Sequence, residues 1–192
     1  MKQDILNNAK RPTAKQIEYE LQRVSRRNEI TKTIWDTLST MIIIAAVVVL
    51  ILNLWLPVMQ VQRSSMSPTL TDGDIMLFTT IGNIKQGNII AFHHGSQILI
   101  KRVIATNGDW VDILEDGSVM VNGNILKEPY VAVQGLGECT VTLPIQVQEN
   151  QYFVMGDHRL TSLDSRSTDI GLVHTDQIIG KSLFRVWPLF RT

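Results

Sequence analysis

Thr37 to Leu56 is a stretch of 20 residues without one Asp, Glu, Lys or Arg. Sixteen of its positions are apolar, and the run from Met41 to Leu52 is unbroken. As a helix rising ~1.5 Å per residue, such a stretch reaches ~30 Å, the thickness of a bilayer's hydrocarbon core. A uniformly apolar 20-mer is poorly suited to be a buried core helix in a chain of 192 residues. Trp35 and Trp55 stand near its ends, where interfacial aromatics are expected. The stretch therefore reads as a membrane span. It is followed by Leu56-Pro57-Val58-Met59, with no small-x-small cleavage site, and preceded by 36 residues. A retained anchor is expected, not a cleaved signal peptide.

The flanks give the span a direction. Residues 1–36 carry eight basic and five acidic groups, and residues 37–192 carry ten and thirteen. The formal net charge of zero thus averages a +3 end with a −3 end. Arg23, Arg26, Arg27 and Lys32 lie just before the span, which predicts a cytoplasmic N-terminus and an extracytoplasmic remainder after Pro57. The overall balance excludes a strongly basic nucleic-acid binder, so no nucleic-acid partner is expected. Thr13 and Gln16 have capping-box spacing, and Ile17, Leu21 and Val24 recur at helical intervals. Three parts are expected: a helical cytoplasmic segment over 1–36, a transmembrane helix over 37–56, and an extracytoplasmic domain over 57–192.

That last part reads as β-structure. All twelve glycines lie within it, and turn signals such as Asp72-Gly73, Asn107-Gly108 and Asp116-Gly117 separate short runs of Ile, Val and Phe. Strands are predicted at Val58–Gln62, Ile75–Thr79, Asn88–His93, Ile98–Ala105, Trp110–Leu114, Tyr152–Met155 and Ile178–Trp187. Asn122-Gly123, between Val119-Met120-Val121 and Ile125-Leu126, is a two-residue hairpin signal. The fold class is mostly β: an antiparallel domain of Greek-key or barrel-like character behind one N-terminal transmembrane helix. Cys139 is the single cysteine, which excludes an internal disulfide framework and speaks against a cysteine-ligated zinc. It reads as a small strand residue.

Three clusters could carry chemistry. The first is Arg63-Ser64-Ser65-Met66-Ser67-Pro68-Thr69-Leu70, followed by Asp72-Gly73-Asp74; taken alone, serines before a proline are usually a turn. In the second, Lys101-Arg102 interrupts an otherwise apolar strand. Alternation puts Lys101 on the face of Leu99 and Val103, with Arg102 on the other. A lysine there either snorkels to water or is desolvated, and a desolvated amine has a lowered pKa and can accept a proton. The third runs from Met155-Gly156-Asp157-His158-Arg159 to Asp164-Ser165-Arg166; by itself it reads as a surface ion-pair network of little worth.

In this order behind an anchor, the three clusters resemble the bacterial type I signal peptidases. The family's Ser-Met-x-Pro-Thr-Leu is matched by Ser65 to Leu70, and its following Gly-Asp by Gly73-Asp74. Its Lys-Arg strand is matched by Lys101-Arg102, with Gly108-Asp109 after it. Its Gly-Asp-x-Arg-x-x-Ser-x-Asp-Ser-Arg box is matched by Gly156-Asp157, Arg159, Ser162 and Asp164-Ser165-Arg166. The resemblance implies a membrane-bound serine endopeptidase that removes signal peptides after a small-x-small motif, without metal or cofactor. Ser65 would be the nucleophile and Lys101 the general base of a Ser–Lys dyad. Ser162 would orient the lysine amine, while Arg102, Asp157, Asp164 and Arg166 would support the site through ion pairs. Met59, Val61, Met66, Leu70, Leu99 and Ile100 match pocket positions for the substrate's small side chains, although each also suits ordinary core packing. The implied partners are the cleavage regions of preproteins and membrane lipid, and the lysine makes the chain look bacterial.

The sequence also departs from the pattern. Two residues before the nucleophile, where the family usually has serine or glycine, stands Arg63; it could donate to the oxyanion or narrow the cleft. His158, Leu160 and Thr161 replace the commoner Asn, Asp and Asn. A second reading follows: a non-catalytic, membrane-anchored binder of signal peptides in which Arg63 obstructs the cleft. A self-cleaving Ser–Lys repressor-type protease is more remote, given the anchor and the lack of a DNA-binding segment. His93 and His94 face opposite ways on a strand and make a poor metal pair, and His174 has no nearby partner in sequence.

Overall fold

The computed structural model of the chain describes residues 13–188. The start of the expected N-terminal segment, residues 1–12, lies outside them. The chain divides into a unit ending at Ile51 and a second unit beginning at Leu52.

One helix, α1, spans Ala14–Trp55. Its 42 residues give a length of about 63 Å. The Gln16 side chain accepts the Thr13 N–H at 2.9 Å, the reach-back half of the expected capping box. Cytoplasmic segment and span were expected as separate parts, yet α1 continues through Asp36 and Thr37 without a break. The hydroxyls at this junction do not disturb it. Thr33, Thr37 and Thr40 each donate to the carbonyl one turn back, at 2.9, 2.8 and 2.7 Å. The helix is long and apolar enough to cross a membrane, and none of its apolar window is buried against protein.

Beyond the end of α1 the second unit is mostly β-structure, with one 3-10 turn at Thr175–Gln177. Its strands are β1 Val58–Gln60, β2 Ile75–Thr79, β3 Ile89–His94, β4 Gln97–Ala105, β5 Trp110–Ile113, β6 Val119–Val121, β7 Asn124–Ile125, β8 Ile145–Gln146, β9 Gln151–Met155, β10 Val173–His174 and β11 Ile178–Trp187. All seven predicted strands are present within one or two residues of their expected bounds. The predicted hairpin is β6–β7, whose turn residues Asn122 and Gly123 have φ of 53° and 78°, as a two-residue primed turn requires. Strands β8 and β10, two residues each, lay beneath the pattern.

Two antiparallel sheets result. The larger has the order β1-β2-β11-β3-β4-β9-β10 and the smaller β7-β6-β5-β8. The last strand, β11, inserts between β2 and β3, which gives the Greek-key character. Three apolar clusters fill the unit. Ile104, Val111, Val119, Phe153 and Met155 join the small sheet to β4 and β9. Val61, Met66, Leu70, Phe78 and Ala91 pack beneath the turn that carries Ser65. Ile90, Phe92, Val103 and Val154 form the third. Two motif segments therefore sit directly on core: the Ser65 turn is anchored by Met66 and Leu70, and β4 touches all three clusters.

Candidate active site

The Ser65 turn is fixed by its own backbone and by two aspartates. Leu70 N–H bonds to Met66 C=O at 2.9 Å, Asp74 accepts the Thr71 N–H at 2.9 Å, and Asp72 accepts the Arg63 N–H at 2.8 Å. These bonds account for the Asp72-Gly73-Asp74 signal: both acids cap the loop that presents the serine. Ser65 itself is half-buried. Its carbonyl accepts the His158 N–H at 3.1 Å, so the third motif segment closes directly on the first.

Lys101 lies on β4, registered against Ile90 of β3. Its Nζ is 2.8 Å from Ser65 Oγ, across 36 residues of sequence. The lysine is 2% exposed, so the snorkelling alternative fails. Burial pulls its pKa down from 10.5 to about 8; the Arg166 and Arg63 charges also push downward, while Asp164 and Asp157 push up. A serine hydroxyl is thus within hydrogen-bond reach of an amine that is partly neutral near neutral pH.

Arg102, the next residue, points the other way, as alternation requires. It forms a bidentate pair with Asp157, at 2.8 and 2.6 Å. Arg166 pairs in the same manner with Asp164, at 2.8 and 2.9 Å. Asp164 also accepts the Gly156 N–H at 2.9 Å, and Arg166 donates to the carbonyls of Leu136 and Arg159 at 2.6 and 2.8 Å. Asp157, Arg159, Asp164 and Arg166 are each at most 1% exposed. The surface-network reading of this segment is therefore wrong: these charges are buried and hydrogen-bonded together, where losing one partner is costly.

Two residues that sequence reasoning missed complete the network. Glu128, also buried, pairs with Arg159 through both carboxylate oxygens. Tyr130 donates its hydroxyl to Glu128 at 3.0 Å, and its ring lies 3.9 Å from the Arg102 guanidinium carbon. Their segment, Lys127-Glu128-Pro129-Tyr130, looks like a surface turn. The available signal was stoichiometric: the third segment and its Lys101-Arg102 partner hold three arginines, Arg102, Arg159 and Arg166, but only two acids, Asp157 and Asp164.

The remaining expectations divide. Ser162 is buried, and its Oγ has no hydrogen-bond partner among the described residues; no bond to Lys101 is formed. It does sit beside the nucleophile segment, since a Cβ on Gly156 would meet both Ser162 Oγ and the Ser65 carbonyl oxygen, at 2.1 and 2.5 Å. Of the six pocket residues, Met59, Val61, Met66, Leu70 and Ile100 gather in one cluster next to Ser65. Leu99 packs instead with the Ile90–Phe92–Val103 cluster, because it alternates with Ile100 along β4. Arg63 is exposed, has a φ of 71°, and forms no side-chain bond among the described residues. Cys139 lies in a loop, not on a strand. His174 does have a partner, Asp176, at 2.7 Å on the surface. No cluster of His, Cys, Asp and Glu able to hold a metal occurs among the described residues.

Comparison with known proteins places the chain in a family. The family model described as signal peptidase, peptidase S26, matches residues 34–187. A signal peptidase I of Bacillus amyloliquefaciens is 32% identical over 171 residues, covering 82% of this chain and 88% of that one. Signal peptidase I T of Bacillus subtilis is 35% identical over 144 residues, 67% of this chain and 72% of the relative. A solved signal peptidase I of Enterococcus faecalis V583 aligns with a TM-score of 0.46 at 29% identity, over 53% of this chain and 98% of that chain. The non-catalytic alternative finds no support among these relatives. Matched over most of its length by the family model and about one-third identical to these peptidases, the chain belongs to the signal peptidase family, peptidase S26.

Proposed function

We propose that this chain removes N-terminal signal peptides from preproteins, with Ser65 as nucleophile and Lys101 as general base. The observation that carries the reading is the 2.8 Å approach of Ser65 Oγ to the buried amine of Lys101. Neutral Lys101 takes the hydroxyl proton as Oγ attacks the scissile carbonyl. The oxyanion forms within reach of the Ser65 N–H, with Arg63 the nearest side-chain cation on the same turn. Protonated Lys101 then gives its proton to the leaving amine, and the peptide's acyl group stays on Ser65. In the second half-reaction the Lys101 amine takes a proton from water as the water attacks the ester, and returns it to Ser65 Oγ as the acyl–oxygen bond breaks. Ser162 Oγ, buried without a partner, supports a role in steadying the amine. The Arg102–Asp157 pair ties β4 to the 156–166 segment, and the Arg166–Asp164 pair braces that segment internally.

Substrate binding has a ready edge. Pairing of β4 with β9 begins at Arg102, so Gln97 to Ile100 are paired on the β3 side only. An extended cleavage region would add there as a strand, leading its scissile bond to Lys101 and Ser65. Met59, Val61, Met66, Leu70 and Ile100 would limit the first and third positions before the cut to small side chains, with Leu99 at the margin.

The chain would be single-pass in a bacterial cytoplasmic membrane. Residues 1–36 would be cytoplasmic, 37–56 would span, and 57–192 would be extracytoplasmic, with exposed apolar residues of β1 and β11 resting on lipid. The test is cleavage of a preprotein bearing a small-x-small site by the purified full-length protein in detergent, with the product N-terminus mapped. Ser65→Ala and Lys101→Ala should each abolish cleavage. Turnover that persists in the lysine variant would overturn the dyad.

A further inference from the structure

The small sheet contributes nothing to the three motifs, yet the segment that leaves it reaches their centre. β7 ends at Ile125, and three residues later Glu128 enters the buried charge network. Its carboxylate holds Arg159 with both oxygens. Arg159 in turn donates from Nε to Gly156 C=O at 3.1 Å and accepts from Arg166 at its own carbonyl at 2.8 Å. Tyr130 carries the connection to the other side: its hydroxyl bonds to Glu128 and its ring faces Arg102. Arg102 is adjacent to Lys101 and grips Asp157. The buried set is then balanced, with Arg102, Arg159 and Arg166 against Asp157, Asp164 and Glu128.

We propose that Glu128 and Tyr130 are positioning residues for the peptidase reaction, acting through Arg159 and Arg102 to hold the Gly156 backbone and the Lys101 strand against Ser65. The proposal rests on the Ser65–Lys101 reading. Its physical basis is that Gly156 has no slack: a Cβ there would already collide with Ser162 and the Ser65 carbonyl, so small movements of this backbone reach the nucleophile. The charges facing Lys101 are Asp164, Arg166 and Asp157 from the buried network and Arg63 from the Ser65 turn. Asp157 is tied to Tyr130 through Arg102 and Arg166 to Glu128 through Arg159, and Asp164 follows one step further, through Arg166. A loss at Glu128 therefore disturbs the lysine's surroundings as well as its place.

The test uses the full-length protein in detergent and a small-x-small peptide, measuring kcat, KM and the acid-limb midpoint of kcat/KM. Glu128→Gln should lower kcat about tenfold or more while KM stays within about twofold, since positioning acts on the reacting geometry. It should also move the acid-limb midpoint to lower pH, by about half a unit, because the unbalanced Arg159 cation disfavours protonated Lys101. Glu128→Gln combined with Arg159→Gln removes both charges and should return the midpoint towards that of the parent. Tyr130→Phe, which deletes only the hydroxyl, should lower kcat in the same sense but less. If Glu128→Gln reduces thermal stability and leaves kcat and midpoint unchanged, the proposal is wrong. If Glu128→Gln does not fold, Tyr130→Phe and the double variant decide, and a parental kcat in both would overturn it. Ser65→Ala in the same assay keeps the two claims apart: cleavage surviving there defeats the dyad, whatever the network does.

Discussion

Lys101 is costly to fold around. Its folded pKa of about 8 lies below the 10.5 of an exposed lysine. Between those values the unfolded chain binds more protons, so stability rises with pH across that window; below pH 8 the full penalty is in force. At 1.36 kcal/mol per unit, that penalty is about 3 kcal/mol. Lys101→Met should therefore raise the thermal midpoint at pH 7 while abolishing cleavage, as calorimetry and the peptide assay on one preparation would check. The same pKa sets the acid limb: kcat/KM should fall about tenfold per unit below pH 8 as Lys101 protonates. Arg63 offers a finer test. Its φ of 71° is a left-handed conformation costing an arginine about 1 kcal/mol, and its charge disfavours protonated Lys101. Arg63→Gly should be at least as stable as the parent and should move the acid limb to higher pH. Gly156→Ala should lower kcat about a hundredfold, since the added methyl must push against the Ser65 carbonyl. Lys101 stood out in the sequence as a cation in an apolar strand, whereas Ser65 stood out only through the family resemblance of its motif. Glu128 and Tyr130 did not, because a carboxylate in a turn looks the same whether it meets water or a buried arginine. Only the fold brings Glu128 31 residues along the chain to Arg159.

At the scale of elements, legibility followed periodicity. Strands of four or more residues showed Val, Ile and Phe bounded by glycine turns, and each was placed correctly. The two-residue strands β8 and β10 are defined by their partners, β5 and β9, and no local pattern can announce them. The order of strands was equally silent, since β11 finds its place between β2 and β3 through partners 86 or more residues away in sequence. That placement has a consequence at the sheet edge. Val58, Leu77 and Phe184 stand in register across β1, β2 and β11, as do Gln60, Ile75 and Trp187. Val58, Phe184 and Trp187 are 58, 57 and 62% exposed, and Leu183 is exposed beside them at a bulge in β11. An apolar strip of this kind, on the strand that follows α1 and on its neighbours, suits a lipid surface better than water. Phe184→Glu with Trp187→Glu should therefore lower cleavage of a preprotein in vesicles several-fold. The same pair should leave cleavage of a short peptide in detergent near the parental rate, which separates a docking defect from a damaged site.

At the scale of the whole molecule, orientation depends on where charge lies relative to the apolar run. The +3 excess of residues 1–36 and the −3 excess of residues 37–192 cancel in the total, but in the proposed topology the membrane separates them. Positive residues close to a span resist translocation, whereas acidic ones contribute little to orientation. Four of the eight basic groups, Arg23, Arg26, Arg27 and Lys32, fall within 14 residues of Thr37 and on the continuous helix α1. In the proposed topology the helix would hold them near the membrane surface, not on a flexible tail. The orientation this imposes is the one a signal peptidase needs, because the scissile bond of an exported chain emerges on the far side. Replacing Arg23, Arg26 and Arg27 together with glutamate changes the balance of residues 1–36 from +3 to −3 and removes most of the orienting signal. In cells, a part of that variant population should then insert inverted or fail to insert. Protease added outside spheroplasts would digest the domain after Pro57 in the parent but spare it in the inverted fraction. Purified variant protein should retain its activity in detergent, because none of the three arginines belongs to the β-unit that carries Ser65 and Lys101. Full outside digestion of the triple variant would show that the span is oriented by something other than these charges.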